Sequence, residues 1–159
     1  MEEEVSFTIA VETPLQDDVR ALVAALNAWA LEQTPREFCH HMTVEQMAQP
    51  DTTVFIARNS EGQTIGMGAL KRHADGVGEV KRMYTLPSTR GLGVAKAIVA
   101  EIEKLANAEG YRRLVLETGA VGGFRSAWRV YEQRGFSRCG AVLDYPANTD
   151  HNIYYEKLL

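Results

Sequence analysis

Residues 90–95 read Arg-Gly-Leu-Gly-Val-Ala, and the patterns on either side of this stretch decide the fold. An apolar run from Val80 to Leu86 predicts a strand before it, and apolar residues at helical spacing from Lys96 to Ala108 predict a helix after it. Glycines let a backbone approach a ligand closely, and the first turn of a helix has N–H groups without intrahelical partners. Together with the guanidinium of Arg90, such a turn favours binding of a pyrophosphate.

The glycine spacing argues against two common phosphate-binding motifs. No Gly-Lys-Ser/Thr follows, as a P-loop requires, and Lys96 stands where the Rossmann pattern has its third glycine. The order Arg-x-x-Gly-x-Ala instead resembles the acyl-CoA pyrophosphate loop of the GNAT N-acetyltransferase superfamily. The resemblance implies that acetyl-CoA is the cosubstrate and that its pyrophosphate is bound by Arg90, Gly91, Leu92, Gly93, Val94 and Ala95.

Composition and charge narrow the class of protein. The chain has 159 residues, 45% of them hydrophobic and 24% charged, which suits one globular domain over residues 1–159. A net charge of −4 argues against a general nucleic-acid surface. The Met-Glu-Glu-Glu start and the lack of a long apolar run predict no signal peptide and no membrane span. Because the chain has only two cysteines, Cys39 and Cys139, we expect a reduced, cytoplasmic protein.

Hydrophobic periodicity predicts the order of the secondary-structure elements. The predicted strands cover residues 6–11, 52–58, 64–71, 77–86, 113–118, 136–139 with an extension over 141–145, and 152–158. The predicted helices cover 15–31, a short segment with Thr43 as N-cap and Gln46 three residues on, 96–108 and 126–134. This order predicts an α/β fold with helices on both faces of a mixed sheet. The GNAT resemblance, which covers nearly the whole chain, implies a twisted, mostly antiparallel sheet of about seven strands flanked by about four helices.

Acetyl transfer from a thioester to an amine needs fixed donors for the carbonyl oxygen and an acid for the departing thiolate. The resemblance implies that the donors are backbone N–H groups of Met83, Tyr84 and Thr85. They lie at the end of the fourth strand, where GNAT folds often have a bulge, and they would also bond the pantetheine arm. For the acid it indicates Tyr131, in the stretch Tyr-Glu-Gln-Arg-Gly-Phe. The alternative is that Tyr131 is a core residue with a locally satisfied hydroxyl.

The amine must also lose a proton, and two glutamates are candidate bases. Glu79 is the first, because histone-acetyltransferase-like members of the superfamily have their general base at a similar place on the fourth strand. It could equally be exposed, or paired with Lys81 or Arg82. Glu117 is the rival, since a glutamate in an apolar run needs a partner or a task; it could instead hold Arg82 in place. Deprotonation through ordered water, without a decisive base, is the third option.

The segment from Gly119 to Ala127 departs from the family pattern. It is longer than usual and lacks the asparagine that often contacts the pantetheine region, so Ser126 or Arg125 is expected to substitute. Phe124 in this glycine-rich loop either packs in the interior or edges the acceptor pocket.

The sequence Cys39-His40-His41 invites a metal hypothesis. No second cluster of ligands accompanies it at suitable spacing, so no metal is expected. The segment falls between the first two helices, which line the acceptor side in GNAT folds. His40 or His41 therefore either contacts the acceptor or is an exposed loop histidine.

These observations predict an acetyl-CoA-dependent N-acetyltransferase that uses direct attack within a ternary complex. No cysteine lies in a convincing nucleophile context, which argues against an acetyl-enzyme. The alternatives are a non-catalytic acyl-CoA-binding sensor and a nucleotide-binding module. The expected partner is a small-molecule or peptide amine, and the sequence is compatible with a monomer or a homodimer.

Overall fold

The computed structural model describes residues 6–39, 41–147 and 149–159. Its strands are β1 (Phe7–Val11), β2 (Thr52–Asn59), β3 (Thr64–Arg72), β4 (Val77–Thr85), β5 (Arg113–Gly119), β6 (Ser137–Cys139) and β7 (Asn152–Leu158). Its α-helices are α1 (Asp17–Gln33), α2 (Val44–Met47), α3 (Val94–Ala108) and α4 (Arg125–Gln133). Short 3-10 turns lie at Arg36–Phe38, Pro87–Thr89 and Gly122–Phe124.

The strands of the described residues form one seven-stranded sheet in the order β1-β2-β3-β4-β5-β7-β6. Neighbouring strands are antiparallel except β4 and β5, which run parallel. This arrangement confirms the predicted α/β fold with a mixed, mostly antiparallel sheet. No helix in the described part of the chain has the length and apolar character needed to span a bilayer.

The central strands are apolar on both faces because helices cover both. On β2, Val54 and Ile56 pack against the buried face of α1, whereas Phe55 and Ala57 pack against α3 on the opposite face. Such alternation follows from the two-residue period of a strand. Full burial of one aliphatic or aromatic side chain contributes roughly 1.5–3 kcal/mol. The two apolar faces therefore fix α1 and α3 on opposite sides of the sheet.

The predicted N-cap of the second helix is confirmed. The Thr43 hydroxyl accepts from the N–H of Gln46 at 3.1 Å, and the Gln46 side chain accepts from the N–H of Thr43 at 2.8 Å. This reciprocal capping box satisfies donors that the helix itself leaves unpaired.

A buried carboxylate joins α3, α4 and β7. Glu103 of α3 is 5% exposed and pairs with Arg134, which follows α4, and with Lys157 of β7. The Nε of Arg134 donates to Glu103 Oε2 at 2.9 Å, and Lys157 Nζ also donates to the Arg134 carbonyl at 2.6 Å. Two cations thus balance one buried charge and hold the end of α4 against the sheet.

The expectation that residues 141–145 extend the sixth strand is wrong. Strand β6 ends at Cys139, and the following segment is a loop in which Leu143 has φ of 53°. A branched side chain at positive φ is incompatible with a continuing strand. The loop instead brings the hydroxyl of Tyr145 back to the middle of the sheet, where it contacts β4.

The sheet opens between β4 and β5. Their paired residues are Val77 to Glu79 on one strand and Arg113 to Val115 on the other, and no pairing follows on β4 after Glu79 within the described residues. On its other side, β4 carries a bulge, because the three residues of β3 from Met67 to Ala69 lie opposite the four residues of β4 from Lys81 to Tyr84. The result is a gap in the sheet at the carboxyl ends of two parallel strands.

The bulge decides which way the side chains of β4 point. Arg82 at the bulge has φ of 54° and reaches Asn27 of α1. Beyond it, Met83 packs in the cluster around α3 and Tyr84 in the cluster around α1. Without the extra residue, strict alternation from Val80 would place Tyr84 on the α3 side.

Candidate active site

A cavity of about 500 Å³ occupies the gap between β4 and β5 and continues over both faces of the sheet. It is lined by residues of α1, β4, the turn before α3, β5, α4 and the loop that contains Tyr145. The site residues predicted from the sequence that line it are Glu79, Met83, Tyr84, Thr85, Arg90, Gly91, Gly93, Val94, Ala95, Glu117, Ser126 and Tyr131. Leu92 is not among its lining residues and is 40% exposed.

One end of the cavity is the turn before α3. Gly91 and Gly93 have φ of 86° and 80°, a backbone conformation that only glycine adopts without strain. A Cβ atom at either position would meet nothing within 4 Å, so the turn faces open space. No side chain caps the N-terminus of α3 and no acidic residue lies in its first turn. The N–H groups and positive dipole end of α3, together with the exposed Arg90, make this turn suited to an anion, and it is called the anion cradle below.

Tyr131 of α4 lies on the cavity wall with its ring buried. The side chain is 6% exposed and packs beside the rings of Phe136 and Tyr155, with ring centroids 6.0 and 5.9 Å away. Burial raises the pKa of Tyr131 well above its usual value, and the negative charge of Glu117 raises it further. The described residues provide no hydrogen-bond partner for its hydroxyl, which therefore remains a protonated donor at the cavity.

Glu79 is a buried carboxylate whose oxygens are both engaged. One oxygen lies 2.8 Å from Nε2 of His73, and the other accepts from the Tyr145 hydroxyl at 2.5 Å and lies 3.5 Å from Nζ of Lys81. Lys81 also donates to the Tyr145 hydroxyl at 2.8 Å. The predicted pairing of Glu79 with Lys81 is present, whereas Glu79 makes no ion pair with Arg82 and is not exposed. Burial and the charge of Glu79 raise the pKa of Tyr145.

Glu117 of β5 faces the cavity with one oxygen committed. Asn152, itself buried, donates to Glu117 Oε1 at 2.6 Å and to the Phe38 carbonyl at 3.1 Å. Burial raises the pKa of Glu117, partly offset by the Asn152 hydrogen bond. The idea that Glu117 holds Arg82 in place is not supported, because no ion pair joins them in the described structure.

The wall opposite the sheet comes from α1 and the residues that follow it. Trp29 and Phe124 meet edge to face with centroids 4.8 Å apart, and both line the cavity together with Thr34, Cys39 and His41. Phe124 is therefore part of the cavity wall as well as of the packing. His40 lies outside the described residues. Among those that are described, no three His, Cys, Asp or Glu side chains are placed to hold a metal ion together.

Only one of the two residues expected to substitute for the missing asparagine, Ser126 and Arg125, lies at the cavity. Ser126 lines the cavity, whereas Arg125 does not. The segment is anchored by Trp128, whose Nε1 donates to the Gly119 carbonyl at 2.9 Å. The Phe124 ring covers Gly119 so closely that a Cβ there would collide with it.

Comparison with known proteins identifies the class to which this fold and cavity belong. Residues 23–136 match the Acetyltransferase (GNAT) family. The chain is 37% identical over 139 residues to the "IAA acetyltransferase" of Azospirillum brasilense, covering 87% of this chain and 89% of that protein. It is 36% identical over 139 residues to the "Uncharacterized N-acetyltransferase YedL" of Escherichia coli (strain K12), covering 87% of each. It is 34% identical over 98 residues to the "N-acetylaspartate synthetase" of Danio rerio, covering 61% of this chain and 34% of that protein.

Solved structures of acyltransferases have the same fold as this chain. A Klebsiella pneumoniae protein described as an acyl-CoA N-acyltransferase superposes with a TM-score of 0.81 at 27% identity, covering 96% of this chain and 97% of the other. An aminoglycoside 6'-N-acetyltransferase complexed with coenzyme A shares the fold, with a TM-score of 0.72 at 15% identity over 95% of this chain and 96% of that one. The chain belongs to the GNAT acetyltransferase family. It is an acyltransferase, as the resemblance implies.

Sequence reasoning missed several residues of the site. Tyr145 and Asn152 reach Glu79 and Glu117 from 66 and 35 residues away, and no local pattern indicates such contacts. The inward position of Arg82 depends on a bulge, and its sequence neighbours do not reveal the positive φ. One indication was available for Tyr145. A large aromatic ring in a loop rich in turn residues is uncommon as an exposed side chain, which favours a contact with the rest of the protein.

Proposed function

We propose that the protein transfers the acetyl group of acetyl-CoA to a primary amine by direct attack in a ternary complex. The observation that carries the proposal is the continuity of the cavity. It runs from the anion cradle at α3, past Tyr131, through the gap in the sheet, to the polar wall formed by β5 and α1. Such a passage gives two ligands access to one point from opposite faces, which a ternary-complex reaction requires.

The cosubstrate would be held mostly by backbone. The pyrophosphate fits the turn at Gly91 and Gly93 with Arg90 beside it, and the pantetheine arm fits along Met83 to Thr85, where β4 has left its parallel neighbour. Acetyl-CoA supplies an activated acyl group as a thioester. The N–H groups of β4 that face the gap would donate to its carbonyl oxygen as negative charge develops there.

The chain offers an acid and a base on opposite faces of the sheet. In the reaction the C–N bond forms, the C–S bond breaks, the amine loses a proton and the thiolate gains one. Tyr131 packs with the α3 face and would protonate the sulfur, because its hydroxyl is a donor without a protein partner. Glu117 is the carboxylate we favour as base, because only one of its oxygens accepts a hydrogen bond from the described residues and burial raises its pKa, which makes it a stronger base than an ordinary carboxylate.

Glu79 is the second route for the amine proton. Its oxygens are engaged, so a proton would reach it through the Tyr145 hydroxyl, which lines the cavity. His73 on the far side of Glu79 is partly exposed and would pass the proton to solvent. Glu79 is thus a base acting through a relay, or a group that positions Tyr145 and Lys81.

The names of the relatives support an amine as the acceptor. Two of the relatives described above are called N-acetyltransferase or N-acetylaspartate synthetase, and both names place the acetyl group on nitrogen. A primary amine also needs the base that the cavity offers, because a free lysine-like amine is mostly protonated near neutral pH.

The experiment that tests the proposal joins a binding and a turnover measurement. Calorimetry with acetyl-CoA and with ATP is followed by a free-thiol release assay on a panel of amines. We expect micromolar binding of acetyl-CoA, no comparable binding of ATP and thiol release with one class of amine. Arg90→Ala should weaken acetyl-CoA binding, with Arg112→Ala, an exposed arginine outside the cavity, as the matched control.

The other outcomes separate the alternatives. Binding of acetyl-CoA without thiol release from any amine would support the non-catalytic sensor. Tight binding of ATP would support the nucleotide-binding module. Absence of any acetyl-CoA binding would overturn the role assigned to the turn before α3.

A further inference from the structure

Arg82 is a buried cation on the cavity wall that the proposed acetyl transfer does not use. It is 9% exposed, it lies at the bulge of β4, and its side chain points to the α1 side of the gap. It stands three residues after Glu79, the last residue of β4 that pairs with β5. The guanidinium is thus placed where the two strands have separated and the cavity begins.

The charge of Arg82 is not balanced within the described protein. Nη2 donates to Oδ1 of Asn27, an uncharged side chain, and Nε is buried without a hydrogen-bond partner. Among the described residues no carboxylate lies within ion-pair distance of it. Burial lowers the pKa of Arg82 to about 10, still above neutral pH, so the group stays charged. A buried charge and an unpaired donor are both costly, and an anionic ligand beside the guanidinium would offset both costs.

Other charged groups of the cavity contrast with Arg82. Lys81 next to it is committed to Glu79 and Tyr145, and Glu117 across the gap is bonded to Asn152. At the far end of the cavity Arg90 is exposed beside the anion cradle. Arg82 is therefore separate from the phosphate-binding end and faces the side where the acceptor would enter.

A second unpaired polar group lies along the same wall. The hydroxyl oxygen of Thr34, at the C-terminus of α1, is buried without a partner and belongs to a residue that lines the cavity. Asn27 is not among the residues that line the cavity, whereas Arg82 and Thr34 both line it and each has a buried polar atom without a hydrogen-bond partner.

We propose that Arg82 binds a carboxylate of the acceptor, so that the substrates of this enzyme are amines that also carry a carboxylate, as free amino acids do. The inference rests on the proposed acetyl transfer to an amine. The planar guanidinium, with Nε unpaired, matches a carboxylate in geometry and charge. Glu117 on β5 would face the amine while Arg82 on β4 holds the acid, so the two strands fix the orientation of a zwitterion.

The test compares acceptors that differ only in the carboxylate. A panel of free amino acids, each paired with its α-carboxamide, is titrated into the CoA-saturated protein by calorimetry and is also assayed for thiol release with acetyl-CoA. We expect at least one amino acid to exceed its amide more than tenfold in affinity and in kcat/KM. In Arg82→Gln this preference should fall to within about twofold, mainly through KM, as loss of a charged hydrogen bond predicts.

Controls keep the result interpretable. Arg112→Gln is the matched variant, and acetyl-CoA affinity and the thermal melting curve report whether each variant is folded. If Arg82→Gln does not fold, Asn27→Leu keeps the arginine but removes the amide that holds it, and should raise KM for acids more than for amides.

Every result decides the question. Equal use of acids and amides, a preference that survives in Arg82→Gln, or no acid that binds or reacts would each overturn the carboxylate site. Arg82-dependent binding of an amino acid without thiol release would support this inference and would instead count against the proposed transfer.

Discussion

Tyr131 combines a buried ring with a hydroxyl at the cavity. Burial and the nearby charge of Glu117 raise its pKa, so the phenol is fully protonated at neutral pH. Because a thiol, with a pKa of about 8.5, is a stronger acid than this phenol, the hydroxyl first donates a hydrogen bond to the departing thiolate, and the proton that the amine releases completes the exchange. The environment of the ring therefore suits a hydrogen-bond donor and does not suit a nucleophile.

Replacing Tyr131 with Phe should separate chemistry from binding. We expect Tyr131→Phe to lower kcat more than tenfold, because the thiolate leaves without a proton, while acetyl-CoA affinity changes less than twofold. Steady-state kinetics and calorimetry measure the two quantities. Phe136→Leu, which alters the same aromatic cluster but carries no hydroxyl, is the matched control for packing. Unchanged turnover in Tyr131→Phe would remove the residue from the mechanism.

The two glutamates can be distinguished by pH. Catalysis by Glu117 needs its ionised form, so kcat/KM should fall as pH falls through its raised pKa. Glu117→Gln, which keeps an oxygen for Asn152, should lower kcat/KM more than tenfold and abolish this acidic limb. Glu79→Gln should leave the position of the limb unchanged if Glu79 only positions Tyr145. A limb that moves in Glu79→Gln and persists in Glu117→Gln would assign the base to Glu79.

The protonation of Glu117 affects stability in the direction opposite to its effect on catalysis. Because the folded protein holds the Glu117 proton more tightly than the unfolded chain does, folding is favoured at low pH by this group. Its contribution is lost as pH rises from the ordinary carboxyl range through the raised pKa. A catalytic carboxylate in this place therefore costs stability at the pH at which it works.

At the scale of elements, the bulge of β4 depends on a glycine across the strand. Gly68 of β3 stands opposite the extra residue, and a Cβ there would lie 2.6 Å from Cγ2 of Ile98 and would also meet the sulfur of Met83. The missing side chain lets Met83 turn toward α3, which leaves Arg82 to the cavity side. The shape of the gap is thus set by a residue that does not line it.

Gly68→Ala should destabilise the protein by about 1–3 kcal/mol, the usual cost of adding atoms to a packed core. Urea unfolding measures the change in the free energy of unfolding. Gly122→Ala is the control, since a Cβ at Gly122 meets nothing within 4 Å and its φ is not positive. Equal stability of the two variants would show that Ile98 and Met83 leave room for a Cβ atom at Gly68.

Most elements could be predicted because their causes are local. The capping box at Thr43, the apolar face of α3 and the glycines before it are each contained within a few residues, and all are confirmed. The prediction for segment 141–145 was wrong because its run of apolar residues resembles a strand, whereas Tyr145 is held by contacts with β4. The inward orientation of Arg82 could not be predicted for the same reason, since the bulge depends on how β4 pairs with β3.

At the scale of the whole molecule, the gap leaves the carboxyl end of β4 without a pairing to β5 among the described residues. Under the proposed function, acetyl-CoA binds the folded chain alone, so it shifts the unfolding equilibrium. At 100 times the dissociation constant this adds about 2.7 kcal/mol, which for a chain of this size raises Tm by roughly 5–10 °C. Differential scanning fluorimetry measures the shift. Adenosine, which carries no phosphate group, is the control ligand. Absence of any shift at saturating concentration would contradict the assigned site.

The site as a whole was less predictable than the fold. Residues 90–95 and Tyr131 belong to contiguous sequence motifs. Tyr131 and every residue of 90–95 except Leu92 line one cavity. The partners of the glutamates are different, because they meet only when the sheet closes. A motif names the residues that hold a shared ligand, whereas the residues around a variable ligand are scattered along the chain.

The gap between β4 and β5 also bears on how such a protein changes over generations. The proposed hold on the cosubstrate uses glycines, a helix start and strand backbone, which most side-chain replacements leave intact. The acceptor wall is made of side chains on α1, β4, β5 and a loop, each open to replacement. A duplicated gene can therefore drift toward a new acceptor while its copy of the acyl-transfer machinery is inherited unchanged.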